Sequence, residues 1–251
     1  MIFKEESQLL QSIKQGYLYR VYLLYGEEKY LKEMYLKRLI RLAAPEEFQE
    51  FNFHRFDGTQ LSADSLIESC EAMPFLAEQR CVVVDKFDFE GLNAQDKEKL
   101  TALLEDPVSS TVLILTVDKE EFSPKKSAGA KKLVNLCDKA GAVIELKKRE
   151  TSDLVRFIRS KLEARGCSLT KDRALQLIER CEKDMLTISG EMEKLAAYAQ
   201  HLRTEDSEQP VEITAEMIEK VTCKTVNASV YDLAKAILAD RFEKAMRIVE
   251  D

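Results

Sequence analysis

The feature that most constrains the fold is a series of five short β-rich runs separated by longer stretches of helical pattern. The runs are VYLLY (21–25), FNFHRF (51–56), CVVVD (81–85), TVLILTV (111–117) and AVIEL (142–146). Three of them are continuously apolar, which is typical of strands covered on both faces, and the segments between them are long enough for right-handed crossover helices. The pattern therefore predicts an α/β domain with a mostly parallel sheet.

The run at 51–56 differs from the others because its side chains alternate in polarity, which indicates a strand near the sheet edge. It contains His54, one of only two histidines in the chain. No serine, cysteine or carboxylate stands at a spacing that would make a catalytic group with this histidine. We therefore expect His54 to be structural.

After Lys147-Lys148-Arg149 the β-rich runs stop and helical patterns take over. The predicted helices span 151–165, 170–182 and 184–200. Thr151-Ser152-Asp153 is expected to cap the first of them and Asp184 the third. This shift in pattern predicts a small helical bundle.

Residues 202–212 are polar and acidic and contain Pro210, so they are expected to be a linker. A short helix is expected from 213–216 onward, and a helical pair at 229–239 and 241–250. Because two helices rarely build a core, we expect the chain to be cut inside a third domain. The predicted domains are 1–149 (α/β), 150–210 (helical) and 211–251 (the start of a further helical domain).

Charge and composition exclude several classes of protein. The net charge of −7 argues against non-specific binding of nucleic acid or anionic lipid over the whole surface. Six cysteines without a CxxC pair argue against a metal site and indicate reduced core thiols of a cytosolic protein. No apolar run approaches the ~20 residues of a membrane span, and the N-terminus lacks a signal-peptide pattern. We expect a cytoplasmic protein without membrane contact.

The turn after the first predicted strand, GEEKYLKE (26–33), lies where a phosphate-binding P-loop would carry GxxxxGK[ST]. Gly26 and Lys32 keep that spacing. Leu31 replaces the second glycine and Glu33 replaces the hydroxyl residue that would bind Mg²⁺. The pattern predicts a degenerate corner that does not bind nucleotide, with an active P-loop NTPase as the alternative.

The third predicted strand ends at Asp85 and is followed by Lys86, whereas a hydrolysing P-loop enzyme usually carries an acidic pair there. A single aspartate is also common as a turn or cap residue. Asp85 and Lys86 therefore predict a degenerate Walker B position, and no catalytic site is expected in this chain.

Segment 72–80, AMPFLAEQR, allows two interpretations. Pro74 ends the preceding helix, and Phe75 and Leu76 follow it directly. This apolar pair could enter the core, as loop residues near central strands often do. It could also be an exposed anchor that fills a partner's pocket.

Four segments are informative when they are taken together: VYLLYGEEKYLKE, AMPFLAEQRCVVVDKF, ISGEMEKLAAYA (188–199) and SVYDLAKAILADRFEKAM (229–246). In this order they resemble the delta subunits of bacterial DNA polymerase III, a family of clamp-loader subunits. The resemblance covers the whole chain, and it rests on the order and spacing of the segments. It implies an AAA+-like architecture with a RecA-type α/β domain, a helical lid domain and the start of a helical collar.

The resemblance also implies a function and a site. Phe75 and Leu76, flanked by Met73 and Pro74, would insert into a hydrophobic pocket of the sliding clamp and help to open the ring. The chain would not hydrolyse ATP and would need no cofactor, although it would count as a subunit of a DNA-directed DNA polymerase complex. Its partners would be the clamp, the other loader subunits through the collar, and DNA within the assembled complex.

A second alternative is another scaffold subunit of the loader, similar to delta-prime. Such subunits carry a cysteine zinc module and a Ser-Arg-Cys motif. Neither pattern occurs in this sequence, so the resemblance favours delta.

Overall fold

The computed structural model describes residues 6–118, 122–203 and 209–223, together with positions 230, 233–234, 236–239, 241–243 and 245–246. The chain divides into two compact units, Met1–Lys148 and Arg149–Asp251.

The first unit is built on a five-stranded sheet. Its strands are β1 (Val21–Tyr25), β2 (Phe53–Asp57), β3 (Arg80–Asp85), β4 (Thr111–Thr116) and β5 (Ala142–Glu145). They lie in the order β2-β3-β4-β1-β5, and every neighbouring pair is parallel. The parallel sheet predicted from the five β-rich runs is confirmed.

The described residues of this unit form six α-helices. They are α1 (Glu6–Lys14), α2 (Lys29–Ala43), α3 (Gln49–Asn52), α4 (Ala63–Glu71), α5 (Ala94–Glu105) and α6 (Ala128–Ala140). The apolar sides of α4, α5 and α6 contribute Leu66, Leu100 and Leu133 to a core that also contains the inner strand residues. The central strands β3 and β4 are buried on both faces because helices cover them, which explains their continuously apolar sequences.

The edge position predicted for the run at 51–56 is confirmed, because β2 pairs only with β3. Its predicted start is wrong. Residues 51 and 52 form the end of α3, and the strand begins at Phe53. His54 lies on this exposed edge strand. Partial burial lowers the pKa of its imidazole, and the positive charge of Arg80 nearby makes a smaller contribution in the same direction.

The described part of the second unit contains helices and a two-stranded sheet. Its helices are α7 (Thr151–Glu163), α8 (Lys171–Arg180), α9 (Met185–Leu202) and α10 (Ala215–Val221). The predicted cap at Asp184 is confirmed, because its carboxylate accepts a hydrogen bond from the Thr187 N–H at 2.7 Å. The cap predicted at 151–153 is wrong: α7 already begins at Thr151, and Glu150 is its N-cap.

The predicted linker is partly regular structure. Helix α9 continues to Leu202, and β7 (Val211–Glu212) pairs in parallel with β6 (Cys167–Ser168). Ile213, directly after β7, is fully buried. Strands of two residues leave no pattern in a sequence, so this pairing could not be predicted.

Helix α10 is tied to the end of α8. Arg180 donates from Nε to Thr222 Oγ1 at 2.8 Å and from Nη2 to the Thr222 carbonyl at 2.6 Å. Beyond this point, the described residues within 230–238 and 242–246 are helical, and those at 239 and 241 are not. The other positions of the predicted pair at 229–239 and 241–250 lie outside the described residues. The division into three domains at 149/150 and 210/211 stays a prediction.

Within the described parts of the chain, no helix has the length and hydropathy needed to span a bilayer.

Candidate functional site

The segment that follows α4 presents its apolar side chains to solvent. Helix α4 ends at Glu71 and Pro74 follows shortly afterwards, in agreement with proline's inability to continue a helix. Met73 is 83% exposed, Phe75 51% and Leu76 73%. Their side chains therefore do not form part of the core.

The exposed segment is held by a buried amide. Asn52, at the end of α3, accepts a hydrogen bond from the Phe75 N–H at 2.7 Å and donates one to the Phe75 carbonyl at 2.8 Å. Asn52 is fully buried. Leu76 then has φ = 51°, in the left-handed region that leucine rarely adopts.

Phe51 extends the apolar surface from a second element. Its ring lies 4.9 Å from the Phe75 ring, centroid to centroid, and its side chain is 55% exposed. We call Phe51, Met73, Phe75 and Leu76 the apolar loop surface. Phe51 and Asn52 were missed by sequence reasoning because the run at 51–56 was interpreted as strand throughout.

The corner after β1 packs closely against the backbone of Leu146, directly after β5. Gly26 has φ = +118°, and a Cβ atom placed there would lie 2.3 Å from the carbonyl oxygen of Leu146. That carbonyl accepts a hydrogen bond from the Glu28 N–H at 3.0 Å, and the Leu146 N–H donates to the Tyr25 carbonyl at 2.7 Å. The glycine is needed for this close contact with the segment after β5.

Lys32 occupies the position of the P-loop lysine, but its ammonium group is engaged within the protein. Its Nζ donates to Asp118 Oδ1 at 2.6 Å and to the Val117 carbonyl at 3.0 Å. The side chain is almost fully buried. In an active P-loop this group would reach the β and γ phosphates.

The neighbouring residues of this corner also make contacts within the protein. Leu31 is buried in the core. Glu33 is exposed and pairs with Lys37 at 3.6 Å. Glu28 caps α2 by accepting from the Tyr30 N–H at 3.3 Å, so a carboxylate lies at the helix N-terminus where a phosphate would bind.

At the end of β3, the Asp85 carboxylate is hydrogen-bonded to side chains of the two neighbouring strands. It accepts hydrogen bonds from Arg55 Nε on β2 and from Thr116 Oγ1 on β4, the latter at 3.3 Å. The hydrogen bond to Asp85 raises the pKa of Arg55. Lys86 follows with φ = 52°, and its N–H donates to Thr116 Oγ1 at 3.3 Å.

Beyond the carboxyl ends of β2 and β3 lies an open cavity of about 650 Å³. Its lining includes Lys86 but also Asp88, Asp96 and Asp118. An excess of carboxylates disfavours phosphate groups. Within the described ranges, no group of three His, Cys, Asp or Glu side chains is placed to hold a metal ion.

Residues 22–147, half of the chain, match the family described as "DNA polymerase III, delta subunit". The matched region begins in β1 and ends directly after β5, so it contains both the corner after β1 and the loop after α4.

Two curated relatives match nearly the whole chain. The DNA polymerase III subunit delta of Bacillus subtilis is 23% identical over 248 residues, which is 96% of this chain and 67% of the relative. The probable DNA polymerase III subunit delta of Aquifex aeolicus is 23% identical over 243 residues, or 92% of this chain and 63% of the relative. The chain thus spans about two thirds of the length of these relatives.

Solved structures share the fold. The Bacillus subtilis DNA clamp loader delta protein superposes with a TM-score of 0.71 at 21% identity, covering 98% of this chain and 70% of that one. The Thermotoga maritima RuvB branch migration motor superposes with a TM-score of 0.51 at 13% identity, over 86% of this chain and 68% of that one. The AAA+-like fold expected from the sequence is confirmed, and by the match over residues 22–147 the chain belongs to the DNA polymerase III delta subunit family.

Proposed function

We propose that this chain binds the sliding clamp through the loop 73–76 and helps to open the clamp ring for loading or unloading on DNA. The observation that carries the proposal is the exposure of Met73, Phe75 and Leu76 in a loop whose backbone makes two hydrogen bonds with a buried asparagine. Exposed apolar side chains on a fixed backbone are the kind of anchor that fills a partner's pocket.

The loop would act by preferring one state of the clamp. A ligand shifts an equilibrium only by its difference in affinity for the two states. The chain would therefore bind an open or strained clamp interface more tightly than the closed one. Phe75 and Leu76 are the side chains expected to enter the clamp pocket, with Met73 and Pro74 beside them.

We further propose that the chain does this without binding or hydrolysing ATP. Lys32 is engaged by Asp118, Glu28 caps the helix where a phosphate would bind, and Asp85 is bonded to Arg55 and Thr116. ATP chemistry would then belong to neighbouring subunits. The alternative of an active P-loop NTPase has no supporting contact at this corner.

The remaining partners follow from the family. Segment 211–251 would begin the collar through which the other loader subunits assemble, and DNA would be contacted only within that assembly. The compartment would be the cytoplasm.

Release of the clamp from circular DNA tests the opening activity. The purified chain is expected to accelerate release of the matching clamp, and the Phe75→Ala/Leu76→Ala variant is expected to leave the rate at its spontaneous value. Binding without any acceleration would contradict the opening mechanism while leaving the contact itself in place.

Calorimetry with Mg²⁺ and ATP tests the nucleotide claim separately. No binding heat is expected at millimolar ATP. A saturable, Mg²⁺-dependent heat would overturn the degenerate corner and restore the NTPase alternative.

A further inference from the structure

Asn52 is a fully buried polar side chain whose hydrogen bonds go to an exposed loop 23 residues further along the chain. Its Oδ1 accepts from the Phe75 N–H at 2.7 Å, and its Nδ2 donates to the Phe75 carbonyl at 2.8 Å. One side-chain amide therefore satisfies both backbone groups of one residue, as a neighbouring strand would do.

The residue after this contact needs such support. Leu76 has φ = 51°, a conformation that is unfavourable for a leucine unless its surroundings fix it. The two hydrogen bonds at Phe75 fix the backbone directly before the left-handed residue. The chain then turns so that the Leu76 side chain remains 73% exposed.

The same short helix supports the Phe75 side chain. Phe51 precedes Asn52 in α3, and its ring lies 4.9 Å from the Phe75 ring at an angle of 48°. Helix α3 thus supplies a polar contact to the loop backbone and an aromatic contact to the loop side chain.

We propose that Asn52 is a positioning residue for the clamp contact, which holds the loop 73–76 in its binding conformation before the clamp arrives. This inference rests on the proposed function. A loop that is already ordered loses less conformational entropy on binding, so its affinity is higher than that of a flexible loop with the same side chains.

Two measurements test the role of Asn52. In the wild type, the Phe75 amide hydrogen is expected to exchange slowly with solvent although its side chain is half exposed. In Asn52→Ala, that exchange is expected to accelerate and clamp affinity to fall about tenfold, since two hydrogen bonds that order the loop are lost. Exchange of the wild-type Phe75 amide at the rate of an open chain would overturn the inference.

A stability control separates positioning from general destabilisation. Ile144→Val removes one methylene from the buried core in β5, at the opposite edge of the sheet from β2. It is expected to lower stability mildly and to leave both amide exchange at Phe75 and clamp affinity unchanged. An equal loss of affinity in the two variants would overturn the inference, as would unchanged affinity in a folded Asn52→Ala.

Should Asn52→Ala not fold, Asn52→Ser replaces it with the same readouts, because the hydroxyl keeps a polar atom at this position on a side chain one atom shorter, which cannot reproduce both hydrogen bonds to Phe75. If the wild type does not bind the clamp, the proposed function fails. The amide exchange of Phe75 then still decides whether Asn52 holds the loop.

Discussion

Single side chains at the corner after β1 make contacts within the protein. Lys32 illustrates this, since its buried ammonium group binds Asp118 and the Val117 carbonyl. The substitutions at Leu31 and Glu33 could be recognised in the sequence because they break a motif of fixed spacing. The partner of Lys32 could not, because Asp118 lies 86 residues away.

We expect Asp118→Ala to lower the free energy of unfolding by about 1–3 kcal/mol, because it leaves a buried ammonium group without its carboxylate. Urea denaturation measures the effect. The matched control is Glu33→Ala, which breaks an exposed pair with Lys37 and should cost about 0.5 kcal/mol or less. Equal costs for the two variants would contradict the assignment.

We expect the substitution of glycine by alanine to have opposite effects on stability at Gly26 and at Gly190. Gly26→Ala places a Cβ atom against the Leu146 carbonyl at positive φ, so it should destabilise the protein by several kcal/mol, on the order of the largest point-mutant effects. Gly190→Ala lies within α9 with open space around it and should stabilise by about 0.5–1 kcal/mol. Thermal unfolding of both variants measures the difference, and a harmless Gly26→Ala would refute the packing role.

Five of the six cysteines are buried as expected for core thiols, while Cys223 is exposed. Burial raises the pKa of Cys70, Cys81 and Cys181 to about 12. A thiol reagent at pH 8 should therefore modify one group rapidly, since the thiolate is the reactive form. All six should react once the protein is unfolded, and two or more fast thiols in the native state would contradict the burial.

Among the elements, the strands of the five-stranded sheet were predictable, whereas the two-residue strands β6 and β7 and the short helix α3 were not. The apolar runs at 81–85 and 111–117 identified β3 and β4 because strands covered on both faces must be apolar throughout. The run at 51–56 predicted the edge strand, but its first two residues belong to α3, which was not predicted. The last residue of α3, Asn52, contacts Phe75, which lies 23 residues further along the chain.

We also expect helix α3 to contribute to clamp affinity through the side chain of Phe51. Phe51→Ala removes the ring that packs on Phe75, so clamp affinity should fall by about three- to tenfold, the range expected for one aromatic pair. Tyr17→Ala is the control, because Tyr17 is an aromatic residue of the same unit with similar exposure, 57% against 55%. Equal affinities for the two variants would show that Phe51 does not contribute.

For the molecule as a whole, the order of segments along the chain was more informative than any single motif. Each motif on its own also allowed a purely structural interpretation. The order of the motifs along the chain resembled that of the delta family, and the match over residues 22–147 supports the same family. The residues of segment 72–80 alone left open whether Phe75 and Leu76 are exposed, because their exposure depends on the fully buried Asn52 and on the left-handed turn at Leu76.

Equilibrium binding to the sliding clamp from the same source tests the central claim most directly. The wild type should bind, and a folded Phe75→Ala/Leu76→Ala variant should bind at least 100-fold more weakly, since anchors of this kind are each worth ~2 kcal/mol or more. The matched control is Leu186→Ala/Leu202→Ala, two leucines on α9 that are 66% and 50% exposed. Circular dichroism must show all three proteins folded. Wild-type affinity in the folded loop variant, or an equal loss in the α9 variant, would contradict the account.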